Sequence, residues 1–313
     1  MRLDLLAALS GVMIAMQTRA NGELSIRLDN GLQAAFVSFS TGWVLIALIA
    51  LFNPEIKNGI KNLRKAVQTK AIAPGILFAG VLGGTFTATQ TQIVPFLGVA
   101  LYSVASIAGQ SGTSLIVDRI GLTGGGKKPI SPRRIAAAVV TVLAVLISVL
   151  DRIEAKNLSI IAVGFAVFAG AVVGVQRALN GLINEHSHQS FTTSLLNFTT
   201  GTGALGIVLL IAIAIGKVEL SPLPSGPWWI YSGGTIGVIY IAFTARIVQH
   251  LGVLTFTLFS TGGTLFGALV IDLYSPTEGV SVSAYLVSGI VMTFLGVLVG
   301  GVNSSKPLKR QTP

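Results

Sequence analysis

Two glutamine–asparagine pairs recur at a fixed distance within apolar sequence. Gln17 lies four residues before Asn21, and Gln176 lies four residues before Asn180, 159 positions later. Residues four apart share one face of a helix. An amide in an apolar helix must face a neighbouring helix or a wet cavity, because lipid offers its donors and acceptors no partner. The pairs therefore predict two polar faces that could hydrogen-bond an uncharged part of a solute.

Further polar side chains lie in the same apolar stretches. They are Ser38, Asn197, Gln90, Gln92 and Gln110. Two interpretations stay open at this point. The amides could bond one helix to the next as structural contacts, or they could line a translocation site between two halves of the chain. We favour the second interpretation for the two glutamine–asparagine pairs, with the other side chains as second choices.

Three arginines are candidates for contact with an anion. Arg19 and Arg177 adjoin the amide pairs and could attract a carboxylate or phosphate, although they could equally end their helices at the membrane surface. Arg246 lies near the end of its apolar run, where an arginine commonly extends to the surface.

The sequence lacks the patterns that catalysis or metal binding would need. It has no cysteine, and the apolar runs contain no carboxylate pair and no nucleophile elbow. His186 and His188 form an H-x-H pair without a further ligand nearby, which is a weak metal pattern. We therefore predict no enzyme activity, no catalytic residue, no cofactor and no metal site. Proton coupling needs a carboxylate or histidine inside the membrane, and the sequence does not decide it.

Composition points to a membrane protein. Hydrophobic residues are 52% of the chain and charged residues only 10%, a balance that a soluble domain could not carry without large exposed apolar patches. The net charge of +10 could suggest nucleic acid. The basic residues lie in short loops, however, where membrane orientation requires them. Membrane lipids, and not nucleic acid, are the expected surroundings.

Ten apolar runs are candidates to cross a bilayer, which takes about 17 to 25 residues per helix. The first and fifth are short, and we keep them because each has a convincing counterpart in the other half of the duplicated chain. The ten runs cover residues 3–19, 32–52, 71–94, 97–117, 135–150, 158–175, 191–215, 228–245, 251–271 and 282–302. The predicted fold class is all-α, a polytopic membrane protein with ten transmembrane helices.

The chain is internally duplicated. Residues 11–42 align without a gap with residues 170–201, and residues 80–118 align with residues 234–272 at an offset of 154. Five helices per repeat is an odd number, so the second repeat enters the membrane from the opposite face, as in many secondary transporters. The predicted units are a first repeat at 1–153, an inverted second repeat at 154–302, and a short basic tail at 303–313.

Charge placement predicts the orientation. Lysine and arginine concentrate between the second and third runs, between the fourth and fifth, and after the tenth. These three segments share one side if both termini are cytoplasmic, as the positive-inside rule expects. Small residues four apart, such as Gly170 with Gly174, predict close contact between helices.

The pattern G-x-x-x-[AG]-x-Q-x-x-x-N-G, followed by [SN]-F-x-T-G, occurs once in each half. With two five-helix halves, the chain resembles the drug/metabolite transporter (DMT) superfamily, and specifically its YdcZ-type branch of bacterial inner-membrane exporters. The resemblance implies a secondary transporter that moves a small polar metabolite or drug-like solute across the cytoplasmic (inner) membrane without ATP hydrolysis. It implies no substrate.

The resemblance also implies a division of roles among the predicted helices. Helices one to four and six to nine would rock about a central polar cavity by alternating access, while helices five and ten pack outside as a candidate homodimer contact. A flippase for a lipid-linked headgroup would use the same architecture with a side opening. That alternative stays open on the sequence.

Overall fold

The computed structural model describes residues 3–120, 122, 131–148, 150, 160–251, 253–276 and 281–301. This part of the chain is all-helical, as predicted. Its ten α-helices are α1 (Leu3–Leu28), α2 (Gly31–Phe52), α3 (Pro54–Gln68), α4 (Ala79–Ile120), α5 (Pro132–Ser148), α6 (Ile160–Ser187), α7 (Ser190–Ala214), α8 (Gly233–Leu251), α9 (Val253–Tyr274) and α10 (Ala284–Gly301). Short 3₁₀ turns at Pro74–Phe78 and Trp228–Tyr231 precede α4 and α8.

The long helix α4 consists of two arms. Gly98 has φ 76° and ψ 171°, a non-helical conformation that favours glycine, and Pro95 lies just before it. The arms, residues 79–97 and 99–120, correspond to the third and fourth predicted apolar runs.

Four helical segments of the described chain are long and apolar enough to cross a membrane. They are Gly31–Phe52, Pro74–Val117, Ile160–Ser187 and Ser190–Ala214. Shorter apolar helices cover Ile135–Ser148, Gly233–Thr244, Phe259–Tyr274 and Ala284–Gly296. A membrane protein is therefore consistent with the fold, while the count of ten crossings stays a prediction.

Helix α3 is an addition to the predicted set. Its N-cap, Asn53, accepts a hydrogen bond from the backbone N–H of Glu55, and Pro54 occupies the first helical position, where its missing donor costs nothing. One face of α3 is buried, while its lysines and its arginine are exposed. Asn62 of this helix donates to the carbonyl of Ser187, so α3 rests on the turn between α6 and α7.

At the end of the bundle away from α3, the α1–α2 turn contacts the α7–α8 connection. Gln33, at the start of α2, exchanges hydrogen bonds with the backbone of Ser221 over 2.6 and 3.0 Å. The N-cap residue Asn30 donates to the carbonyl of Glu219. The α1–α2 turn therefore lies on the same face of the bundle as the α7–α8 connection.

The closest helix crossings occur in matched pairs. Gly11 of α1 lies against the backbone carbonyl of Ser260 in α9, and Gly170 of α6 lies against the carbonyl of Ser106 in α4. The two glycines are 159 positions apart and the two serines 154 apart, the offsets of the duplication. The reverse contacts are made by Gly263 against Ala8 and by Gly109 against Val167. The first half therefore contacts the second through the same set of positions by which the second contacts the first.

Asp272, near the end of α9, caps the second arm of α4. Its carboxylate accepts from the backbone N–H groups of Val99 (3.3 Å) and Ala100 (2.7 Å), and the residue is 3% exposed. The first N–H groups of a helix have no partner within the helix, and its positive end favours an anion. The matched Asp118 has a side chain outside the described residues.

We expect Asp272→Ala to destabilise the protein by about 2–3 kcal/mol, because charge-assisted hydrogen bonds to two buried N–H groups are lost. Asp272→Asn, which keeps one acceptor, should lose less. Thermal unfolding of the purified protein in detergent measures the difference. Glu219→Ala, at an exposed position, is the control, and equal melting temperatures for the two alanine variants would contradict the capping role.

Candidate functional site

The second half of the chain contains a continuous amide network. Gln176 donates from Nε2 to Oδ1 of Asn197 over 2.7 Å, and Asn197 donates from Nδ2 to Oδ1 of Asn180 over 2.7 Å. Gln176 is 7% exposed and Asn197 1%, whereas Asn180 is half-buried. Helices α6 and α7 therefore bring together three of the predicted residues, as the spacing of the motif suggested.

The first half contains a related network with different members. Asn21 donates from Nδ2 to Oε1 of Gln90, and Gln90 donates from Nε2 to the hydroxyl of Thr18, both over 2.9 Å. All three residues are buried. Sequence reasoning missed Thr18, although its place beside Gln17 in the repeated motif was a usable signal.

Two polar atoms of this first network are unsatisfied. Asn21 Oδ1 and Ser38 Oγ are buried, and neither has a hydrogen-bond partner among the described residues. Both face the start of α8, where a Cβ on Gly233 would touch them. A buried polar atom without a partner is costly, so a solute or a second conformation that supplies a donor here would be favoured.

An aromatic pair lies beside the two motif glutamines. The rings of Phe39 and Phe198, at matched positions of the motif, have centroids 5.0 Å apart. The amide of Gln176 lies against Gly83, beside Phe39, and that of Gln17 lies against Gly237, beside Phe198. Each glutamine amide therefore lies beside one ring of the pair. The identity of both phenylalanines in the duplication was the signal that could have found them.

Gln110 and Arg177 meet in a third polar group. Arg177 donates from Nη1 to Oε1 of Gln110 over 2.6 Å and from Nη2 to the hydroxyl of Tyr240 over 3.1 Å. Gln110 also donates to the hydroxyl of Ser106. Tyr240 was not among the predicted residues, because nothing in its local sequence marks it.

The remaining candidates lie elsewhere. Arg19 forms an ion pair with Glu23 over 3.1 Å, donates to the hydroxyl of Ser275, and lies 5.9 Å from the ring centroid of Trp229. It shares the carboxylate of Glu23 with Arg27, and no hydrogen bond joins it to Arg177 among the described residues. Gln92 is exposed and packs on Gly31.

The side chain of Arg246 lies outside the described residues. The described side chains contain no cluster of three or more histidine, cysteine or acidic residues that could hold a metal.

Comparison with known proteins gives one family. A family model described as "Putative inner membrane exporter, YdcZ" matches residues 3–147 and 161–299. The two matched segments correspond to the two repeats seen in the sequence. No curated protein matches the chain. A solved crystal structure of another protein has a TM-score of 0.56 and 14% identity, and the match covers 96% of this chain and 95% of that one. That likeness shows a shared fold alone.

Proposed function

The chain belongs to the YdcZ family of inner-membrane exporters, and from this premise we propose that it is a secondary active transporter of a small polar solute that works by alternating access. The family is one of transporters and not of enzymes, and the protein is a multi-pass protein of the inner membrane. The part of the solute that contacts the amides is uncharged and hydrogen-bonding, since an amide offers donors and acceptors without a charge.

One observation carries this proposal: each glutamine of the duplicated motif is held at the contact between the two halves. Gln176 of the second half lies against Gly83 of the first, and Gln17 of the first half lies against Gly237 of the second. Inverted-repeat transporters bind their solute at this interface. We assign binding to Gln17, Asn21, Gln176 and Asn180. Supporting roles go to Ser38, Asn197, Gln90 and Gln110.

Contacts between connections support ten crossings in two inverted repeats. Helix α3 touches the α6–α7 turn, and the α1–α2 turn touches the α7–α8 connection. Touching connections share a membrane face, so an even number of crossings separates them. Suppose that every long helix other than α4 crosses the membrane once. The number of crossings between two touching connections is then even if the two arms of α4 cross separately. We propose that both termini are cytoplasmic, which places the lysines of α3 on the cytoplasmic face.

The two networks differ in how completely their polar atoms are hydrogen-bonded, and this difference supports alternating access. Asn197 is hydrogen-bonded to Gln176 and Asn180, whereas its counterpart Ser38 and the nearby Asn21 Oδ1 have no partner among the described residues. Two inverted repeats that adopt different conformations, and exchange them, open the site to each side in turn. No described feature favours a flippase for a lipid-linked headgroup, so we do not propose that alternative. A homodimer through α5 and α10 stays a prediction.

The test is flux in proteoliposomes. We expect the purified protein to move at least one labelled polar metabolite several-fold faster than protein-free liposomes, at matched protein density. An imposed pH gradient should change the accumulated level if protons are coupled, and leave it unchanged if they are not. Movement of labelled lipid without movement of any soluble solute would overturn the proposal.

A further inference from the structure

Arg177 is half-buried where α6 meets α4 and α8. Its partner Gln110 is near the midpoint of the second arm of α4, residues 99–120, about 16 Å from either end at 1.5 Å per residue. Its other partner, Tyr240, lies in the middle of α8. A charged side chain that meets the middle of apolar helices marks a functional site more often than a structural one.

The charge of Arg177 is not neutralised by any ion pair among the side chains that the structure describes. Its two hydrogen-bond partners are a neutral amide and a neutral hydroxyl. Its Nε atom is buried and has no partner within the described residues. Arg19 also has a buried Nε without a partner, but its guanidinium is ion-paired with Glu23, a carboxylate that it shares with Arg27. Arg177 therefore offers an unused donor and a full positive charge.

The duplication indicates that helix packing does not require Arg177, Gln110 and Tyr240 at these positions. The matched positions in the other half carry Thr18 for Arg177, Thr264 for Gln110 and Phe86 for Tyr240. All three matched side chains are uncharged, and they fill the equivalent crossing in the same fold. An arginine kept for packing alone would bring a desolvation cost that its counterpart avoids.

We propose that Arg177, with Gln110 and Tyr240, binds an anionic group of the transported solute, a carboxylate or a phosphate. This inference rests on the proposed transport function and adds the substrate class, an organic anion with a polar body. The guanidinium supplies charge and a forked set of donors, and the Tyr240 hydroxyl can turn its proton toward the same anion.

The anion position adjoins the amide networks. Arg177 directly follows Gln176 in α6, and Tyr240 lies about one turn beyond Gly237, against which the amide of Gln17 packs. Consecutive residues of a helix point to different faces, so a solute that binds both places must reach around α6, with its anionic end at Arg177 and its neutral polar groups on the amides.

Binding can be tested without knowing the natural solute. The probes are matched pairs that differ in charge, benzoate with benzamide and succinate with succinamide, together with inorganic phosphate. Thermal unfolding of the full-length protein in detergent is recorded with each. We expect at least one anion to raise the melting temperature of the wild type while its neutral partner does not. The carboxylate and phosphate arms distinguish the two anion chemistries.

Substitutions test whether the anion-dependent shift in melting temperature arises at Arg177. Arg177→Met should melt no lower than wild type without ligand and should lose the anion-dependent shift. Tyr240→Phe, which copies the residue of the other half, should weaken the shift, and Arg177→Lys should keep part of it because charge remains without the fork. Arg27→Met removes the same charge from the ion pair with Glu23 and should respond as wild type does.

Several outcomes would overturn the anion site: equal shifts from charged and neutral partners, no anion-dependent shift in wild type, or a full shift in Arg177→Met. Transport separates this inference from the proposed function. Flux of a neutral solute, with no anion-dependent shift in the wild type, would remove the anion site and leave the transporter. An anion-dependent shift with no flux of any solute would leave the site and remove the transporter.

Discussion

Gly170→Ala should abolish normal assembly of the bundle, with a loss of about 3 kcal/mol or more. The added Cβ would collide with the backbone carbonyl of Ser106 in α4, at the closest crossing between α6 and α4. Backbone cannot move aside as a flexible side chain can, and overpacking of this kind costs about 1–3 kcal/mol even where neighbours relax. The yield of monodisperse protein after size exclusion and its melting temperature measure the effect.

The same helix provides the control. Gly164 of α6 has open space where a Cβ would go, so Gly164→Ala should leave stability unchanged or raise it by about 1 kcal/mol through helix propensity. Gly11→Ala, which would meet the carbonyl of Ser260 in the matched crossing, should be as damaging as Gly170→Ala. If both interface variants melt like Gly164→Ala, the close crossings do not hold the halves together.

The apolar runs predicted from the sequence agree well with the helices, because hydrophobic length and the duplication constrain them directly. The same reasoning missed where α1 ends. Its apolar run stops near Arg19, but the helix continues to Leu28, and ion pairs of Glu23 with Arg19 and with Arg27 stabilise the added turns. Helix α3 was missed because its polar, basic sequence carries no membrane signal.

The motif predicted which amides share a helix face better than it predicted how the two halves meet. Spacing of four places Gln176 and Asn180 on one face, and their link through Asn197 follows from adjacent helices. The contact between Phe39 and Phe198 depends on which helices of the two halves cross. A periodicity argument within one helix contains no information about that arrangement.

Replacing Gln176 with leucine should lower transport about tenfold at subsaturating solute while the protein still inserts and folds. Leucine has a similar size, but it cannot donate to Asn197 or present an amide at Gly83, on the other half. Loss of one hydrogen bond to a solute costs about 1–1.5 kcal/mol, roughly tenfold in affinity. The orphaned Asn197 acceptor adds a stability cost of about 1–3 kcal/mol. Flux in proteoliposomes, normalised to folded protein, separates the two effects.

Gln68→Leu makes the same chemical change at an exposed position near the end of α3, and its flux should equal that of wild type. If the amides only join helices, Gln176→Leu should lower the melting temperature but leave the flux per folded molecule at the wild-type value. If they bind the solute, the flux should fall even where enough folded protein is recovered. Since Gln176 bonds within its own half and lies against Gly83 of the other half, a change in flux without loss of assembly would locate solute binding at the contact between the repeats.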